Sequence, residues 1–419
     1  MAELDISELG PQADGIHRSA QDPVYIDRAL PGEKVRADVQ RGSGGVLRGE
    51  LREIVTPSPD RIAAPCIHYD VCGGCSIQHA SEAFYRDWKT GVVRAALARE
   101  DLSPETWLDP VFIPAATRRR ATFVALKKNG RVTLGYFRRR SHQIAEITDC
   151  LIVDPAIMAL RTQLSVALVP ILQDGKQADI FVQVVEGRSE IVITGPMGGK
   201  GGMDLAMHEA FASLIRDAKV SRISWRTRER EAPEVLLEAA PLLAPFNAIT
   251  VTLPPLAFLQ PTKVGERTLV DAVMAGIPQR GKFADLFSGC GTFTGAMLER
   301  GRVDAFDGNE AAVKALSKAG GQKALKAVQR DLFHDPLQAD ELSAYAAVVF
   351  DPPRAGALEQ ARVLANTEVP RVIAASCNPA TFARDARILV EGGYRLETVK
   401  IVDQFLWSQH VELVAVFSR

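Results

Sequence analysis

The stretch 285–295, DLFSGCGTFTG, decides how the C-terminal part of the chain folds. An apolar run enters it, two close glycines permit a tight turn, and Thr292 opens a helical pattern. Glycine at such a turn lets a ligand approach the backbone beside a helix N-terminus, where N–H groups lack partners. The spacing is G-x-G-x-x-x-G, which differs from the dinucleotide fingerprint G-x-G-x-x-G. The next apolar run, RVDAFD, ends on Asp307. A carboxylate there can bind both hydroxyls of a ribose. A plain strand–helix turn followed by a surface Asp is the alternative. The combination of turn and acid favours an adenosine cofactor.

Working outward, the same texture continues on both sides. FADLFSG leads into TFTGAMLERG, RVDAFDG into NEAAVKALSKAG, and YAAVVFDPPRAG and RVIAASCNPATF follow. Alternating strand and helix patterns predict a doubly wound α/β sheet with ligands at the carboxyl ends of its strands. Asp351, in DPPRAG, follows the apolar run AAVVF; a turn-initiating Asp and a carboxylate at the ligand edge are equally good readings. Cys377, in SCNPATF, stands between a strand and a helix. A lone cysteine is usually inert, but this one shares an edge with the cofactor turn, and a helix N-terminus is expected to lower its pKa into the range of a nucleophile. Cys290, inside the glycine turn, reads as a packing residue. Glu412 begins the final apolar strand, where it is either a salt-bridged surface acid or a base of raised pKa.

The chain has 419 residues, 47% hydrophobic and 24% charged, with a net charge of −1. That length suits two or three domains. The start, MAELDISELG, is acidic and unlike a signal peptide, and no apolar run reaches the ~18–20 residues of a membrane helix. A cytoplasmic, membrane-free, monomeric protein is expected, in which thiols stay reduced. Global charge points to no partner, but between Val111 and Cys150 nine basic residues face two acidic ones, a local +7. Such a patch either neutralises phosphates or is a solvated face. It lies on two runs, RATFVALKK and RVTLGYFRRR, joined by the hairpin signal Asn129-Gly130. Short strands over 15–56, with turns at Pro31-Gly32 and Gly42–Gly45, suggest a small β-barrel of oligonucleotide-binding type, among other small β-folds. The proline-rich TPSPDRIAAPC reads as a linker, and 81–100 as a helix with Ser81 as N-cap. Residues 151–250 alternate strand and helix patterns without a legible chemical motif.

Three of the six cysteines fall in ten residues, CIHYDVCGGC, as Cys66, Cys72 and Cys75. With Cys150 they make a complete tetrahedral set for zinc or for an iron–sulfur cluster, and spacing does not separate the two.

These motifs together, CIHYDVCGGC, DLFSGCGTF, DPPRAG, SCNP and HVELVAVF in this order, resemble the S-adenosylmethionine-dependent RNA uracil-5 methyltransferases that carry a [4Fe-4S] cluster, over nearly the whole chain. The resemblance implies a multidomain fold: a TRAM-like, OB-like β-barrel over 1–56, a central α+β iron–sulfur domain with the basic hairpin over 57–250, and a Rossmann-like class I methyltransferase domain over 251–419. It implies that Cys66, Cys72, Cys75 and Cys150 hold the cluster, in a structural and RNA-positioning role. Gln260, Phe287, Gly289, Thr292, Asp307, Asp331 and Asp351 would contact S-adenosylmethionine, Cys377 would be the nucleophile and Glu412 the base. Thr262, Asp307 and Thr292 stand where relatives usually carry Asn, Glu and Asn, replacements that keep donors or a carboxylate in place. Phe258 reads first as a core residue and otherwise as a stacking platform for a base. The implied reaction is methyl transfer to C5 of a uridine through a Cys–C6 adduct, on 23S ribosomal RNA by analogy with cluster-bearing members. The alternatives are tRNA as substrate, a non-catalytic RNA-binding iron–sulfur protein, and a DNA or small-molecule methyltransferase. A DNA cytosine enzyme would be expected to show Pro-Cys at 376–377, where this chain has Ser-Cys.

Overall fold

The computed structural model describes residues 1–19, 22–42, 44–198 and 203–419; Ser43 of the Gly42–Gly45 turn lies outside them. The chain forms two compact units. One holds Met1–Ala95 with Phe137–Ala145 and Phe405–His410; the other holds Ala96–Tyr136, Glu146–Gln404 and Val411–Arg419.

In the first unit, strands Ala2–Asp5, Glu8–Leu9, Asp14–His17, Val24–Asp27, Lys34–Arg41 and Leu47–Thr56 form one sheet, in the order first, fifth, sixth, fourth, third, second. Its two edge strands are therefore consecutive in the chain, joined only by Ile6-Ser7. Six strands laid flat span about 24 Å, whereas that link reaches at most about 10 Å. The sheet must curl into a barrel. Ile6, Val24, Ile26, Ala29, Val35 and Ala37 fill its interior. The first two strands lie within MAELDISELG, whose acidic residues are poor strand formers; pairing with Lys34–Arg41 overrides that propensity. Helix Glu82–Arg99 starts as expected, with Ser81 Oγ accepting from the Phe84 N–H at 3.2 Å.

In the second unit, Arg120–Lys128 and Arg131–Phe137 pair as the predicted hairpin, with Asn129 and Gly130 both left-handed (φ 53° and 73°). Strand Ile144–Glu146 pairs on the outer side of the hairpin, and residues 151–250 supply the other four strands of this seven-stranded sheet, Gln177–Val185, Arg188–Thr194, Val220–Arg226 and Glu234–Glu238. Helices Pro155–Ala167 and Leu205–Asp217 share its apolar core with Phe123, Ile180 and Ile191. The hairpin is not a free basic face. Arg119 is buried and pairs with Glu266 at 2.5 Å, Arg131 with Glu146 at 3.0 Å, and, within the first unit, Arg139 with Asp27 and Arg140 with Asp14. The local +7 counted only nearby acids, and most of these partners come from far along the chain.

The second sheet of this unit has eight strands, in the order Leu325–Gln329, Gly301–Asp307, Gly281–Leu286, Ala347–Phe350, Arg371–Ser376, Glu412–Ser418, Arg395–Asp403, Thr106–Phe112. The first five are parallel, and Glu412–Ser418 runs antiparallel to both neighbours. This is the expected doubly wound sheet with a reversed strand inserted near one edge. Thr106–Phe112 reaches it from earlier in the chain and contains Pro110, which an edge strand tolerates. Strand order reverses between Gly281–Leu286 and Ala347–Phe350, so the switch-point crevice opens above Phe287 and Asp351.

A line of polar residues crosses the hairpin sheet in register: Arg120, Gln183, Glu190, Arg222, Glu238. At its centre the buried Glu190 accepts two bonds from Arg222, at 2.8 and 3.0 Å. Breaking a buried pair leaves an uncompensated charge. Arg222→Met is therefore expected to destabilise this unit by about 3–5 kcal/mol in urea unfolding, and adding Glu190→Leu to recover most of the loss.

Candidate functional site

The glycine turn is shaped by left-handed backbone at Phe287, Gly289 and Gly291 (φ 61°, 53° and 96°). Asp307 braces it: Oδ2 accepts from the Gly289 N–H at 2.8 Å and Oδ1 from the Asn309 N–H at 2.7 Å. The acid expected to face a ribose thus also fixes the turn, with lone pairs left on both oxygens. Beneath it Asp285 is fully buried and accepts from Thr294 Oγ1. Burial pushes Asp285 up to about 7. Asp285 Oδ1 and Ser288 Oγ are buried without a partner, and no atom lies within 4 Å of where a Cβ on Gly289 would stand. Orphaned polar atoms beside open space at a helix start fit a polar cofactor. Thr292 is the first residue of helix Thr292–Met297. Asp331 is exposed after the strand Leu325–Gln329, and its bonds to His334 Nδ1 and the Phe333 N–H lower its pKa. The Phe287 and Phe333 rings lie 5.4 Å apart. Sequence reading missed Phe333, an aromatic whose isolated position gave no signal.

The reacting side lies across the switch point. Ser376 pairs with Leu413, so the next position outward sets Cys377 opposite Glu412. Glu412 is buried and its pKa is pushed up to about 8, by burial first and by Asp351 second. Hydrogen bonding from Gln404 and the nearby Arg120 and Arg354 oppose that rise. Burial holds Asp351 up at about 7, against the bond it accepts from Gln260 Nε2 at 3.2 Å. Gln404 Nε2 in turn donates to Gln260 Oε1 at 2.7 Å.

The expected lowering of the Cys377 pKa is overturned. Burial and the two carboxylates push the thiol up to about 11. Asn378 serves the helix that follows, its Oδ1 accepting from the Ala380 N–H at 3.1 Å. Loop and helix are latched, since Asn378 Nδ2 and Thr381 Oγ1 both donate to the Arg354 carbonyl, at 2.9 and 3.1 Å. Gly356 is left-handed at φ 79°, and a Cβ there would fall 2.6 Å from Asp385.

Phe258 is not a core residue. It is 57% exposed, with the Arg120 guanidinium 4.2 Å from its ring centre. Arg120, crowded by Arg118 and Arg119 in a buried setting, is pulled down to about 10, burial being the main cause. Thr262 caps helix Lys263–Gly276, its Oγ1 accepting from the Gly265 N–H at 2.9 Å, a role an Asn fills equally. Cys290 is buried in the turn, as expected of a packing residue.

Within the first unit, the loop bearing Cys66, Cys72 and Cys75 is clamped by its backbone. The Gly73 N–H donates to Phe137 O at 3.0 Å, and a Cβ on Gly73 would fall 2.9 Å from that oxygen. The Gly74 N–H lies 3.3 Å from Cys72 Sγ, a contact suited to a thiolate. All four expected cluster thiols are partly exposed, and no disulfide is present among the described residues. The donor chemistry fits an iron–sulfur cluster. No group of three or more His, Cys, Asp or Glu is arranged to hold a metal ion among the described residues.

A profile of the tRNA (uracil-5-)-methyltransferase family matches residues 309–419. An RNA methyltransferase of Caulobacter vibrioides with no assigned target is 38% identical over the full length of both chains. A 23S rRNA (uracil(1939)-C(5))-methyltransferase of Halomonas elongata is 31% identical, covering 98% of this chain and 88% of its own. Among solved structures, the Pyrococcus abyssi tRNA (uracil-54, C5)-methyltransferase, in complex with S-adenosyl-L-homocysteine, superposes with a TM-score of 0.78 over 99% of both chains at 18% identity, which shows a shared fold.

A thiol near pKa 11 reacts slowly with iodoacetamide at neutral pH. Peptide-mapped alkylation of Cys377 is expected to keep rising past pH 9 without a plateau. Above pH 8, where the native carboxylate is ionised, Glu412→Gln should speed it, because a negative neighbour that holds the thiol protonated is gone.

Proposed function

The chain belongs to the RNA uracil-5 methyltransferase family, and we propose that it methylates C5 of a uridine in 23S ribosomal RNA. The observation that carries this reading is the register that pairs Ser376 with Leu413 and so brings Cys377 and Glu412, one residue on, to the sheet edge that also holds the glycine turn. S-adenosylmethionine, when bound, supplies the methyl group on a sulfonium. Phe287, Gly289, Thr292, Asp307 and Asp331 would hold it along three strand ends, with Gln260 and Asp351 between it and the base. Cys377 must first lose its proton to solvent, against the burial and the carboxylates that hold it. The thiolate adds to C6 and the electron pair moves onto the C5–C4–O4 enolate. C5 takes the methyl as its bond to the sulfonium sulfur breaks, leaving a neutral thioether. Glu412 removes the C5 proton, and the released pair restores the C5–C6 double bond and expels the Cys377 thiolate. The base cannot react while stacked, so the RNA must present it unpaired or flipped. The exposed Phe258 ring under Arg120 offers a face on which a nucleobase can stack.

The barrel over 1–56 would bind RNA as a TRAM-like module, beside a central domain over 57–250 and a methyltransferase domain over 251–419. Cys66, Cys72, Cys75 and Cys150 would hold a [4Fe-4S] cluster, supported by the four thiols and the resemblance of their spacing. The Halomonas relative favours ribosomal RNA; the family profile and the Pyrococcus structure carry tRNA in their names, which keeps tRNA as the second reading.

Labelled S-adenosylmethionine with rRNA and tRNA from cells lacking the gene should yield 5-methyluridine in 23S rRNA. Label in tRNA alone would overturn the substrate, and label in neither the reading itself. Cys377→Ala should abolish methylation and keep RNA affinity. Turnover should rise with pH towards about 8, as Glu412 ionises. Anaerobically purified protein should contain iron and sulfide, and Cys150→Ser should lose both.

A further inference from the structure

We propose that Gln404 is a positioning residue of this site, whose amide holds the Glu412 carboxyl in fixed relation to the Gln260–Asp351 pair. This rests on the reading of Glu412 as the base. Gln404 follows the last residue of strand Arg395–Asp403 and is itself buried. Its Nε2 carries two hydrogens. One goes to Gln260 Oε1 at 2.7 Å, and Gln404 favours the ionised form of Glu412 against its burial. Gln260 passes the chain on, donating to Asp351 Oδ2 at 3.2 Å. The Gln260 backbone is pinned in turn, its carbonyl accepting from Arg119 Nε at 2.9 Å, and Arg119 is anchored on Glu266. The Asp351 carboxyl is thereby joined to Gln404 through the neutral Gln260 amide.

The other end of the Gln404 amide shows which way it must point. Oε1 is buried without a polar partner and lies against Gly265, where any Cβ would overlap it. Gln260 donates to Asp351 and so presents its oxygen to Gln404, which sets the NH2 end of Gln404 toward Gln260 and its oxygen toward Gly265. An apolar side chain of this length would fill the same space without leaving a buried oxygen unpaired. The amide is explained by what its N–H groups do for Glu412. They favour the ionised form and fix the rotamer of a base whose other neighbours are Asp351 and Cys377, which disfavour ionisation, and Arg120 and Arg354, which favour it.

The test compares Gln404→Met, of similar length, with Gly265→Ala, which displaces the amide while keeping it. Melting temperature and S-adenosylhomocysteine affinity report folding. Each variant is expected to lose roughly 10–100-fold in kcat with little change in KM for RNA, the effect of one hydrogen bond to a charged group. The acidic limb of the kcat–pH profile should move up. Covalent protein–RNA adduct should accumulate on denaturing gels, because removal of the C5 proton becomes slow. Infrared titration of the Glu412 carbonyl band, assigned with Glu412→Gln, should show the same upward shift with or without turnover. An unmoved titration in a folded variant overturns the inference, as does a loss of kcat without adduct or pH shift. Failure of the native protein to methylate any RNA would count against the functional reading alone, and the infrared titration would still decide the role of Gln404.

Discussion

The antiparallel insertion of Glu412–Ser418 between Arg371–Ser376 and Arg395–Asp403 is the constraint on which the site depends. Strand pairing has a side-chain period of two, so a slip of one residue would turn every buried side chain of this strand to the other face. All seven of its residues are buried, so side chains on both faces of the strand are packed. That register sets the acid opposite the thiol. The preceding six residues, Phe405–His410, belong to the first unit, where Trp407 is held by Tyr85 and Ser76. The chain leaves this unit after Gln404 and returns at Val411, one residue before Glu412.

Electrostatics at the edge work against ionisation of Cys377. Asp351 makes ionisation of the buried Glu412 harder, and together they help keep Cys377 protonated. A permanently ionised thiol in such a place would be open to alkylation and oxidation. A thiol held protonated is less exposed to both. The arrangement also explains why the surrounding donors are neutral amides. Gln260 and Gln404 satisfy carboxyl oxygens without adding charge that would fix either proton permanently, while Arg120 and Arg354 temper the field from farther out.

Much of this was legible in the sequence because it follows local rules. The glycine turn, Asp307 at the next strand end, the Asn129-Gly130 hairpin and the Ser81 cap each carry a short-range signal, and each stands where it was expected. What was illegible depends on long-range partners. The basic patch looked free because Glu266, Asp27 and Asp14 are far away in sequence. Phe258 looked like core because apolar pattern alone cannot reveal a guanidinium above a ring. The Cys377 pKa was misjudged because the helix start is local, whereas the opposing carboxylates arrive through strand pairing. Gln404 left no mark at all: a polar residue after an apolar strand is common, and only the register joins it to Gln260. Barrel closure at the N-terminus likewise emerges from strand order and from nothing in MAELDISELG itself.

The most direct test of the central claim uses ribosomal RNA containing 5-fluorouridine, whose C5 substituent cannot leave as a proton. With S-adenosylmethionine present, the protein should form a complex that survives denaturation, and digestion should map the modified nucleotide to the peptide containing Cys377. Efficient methylation of unmodified RNA with no trapped complex, or a link to any other residue, would contradict the account.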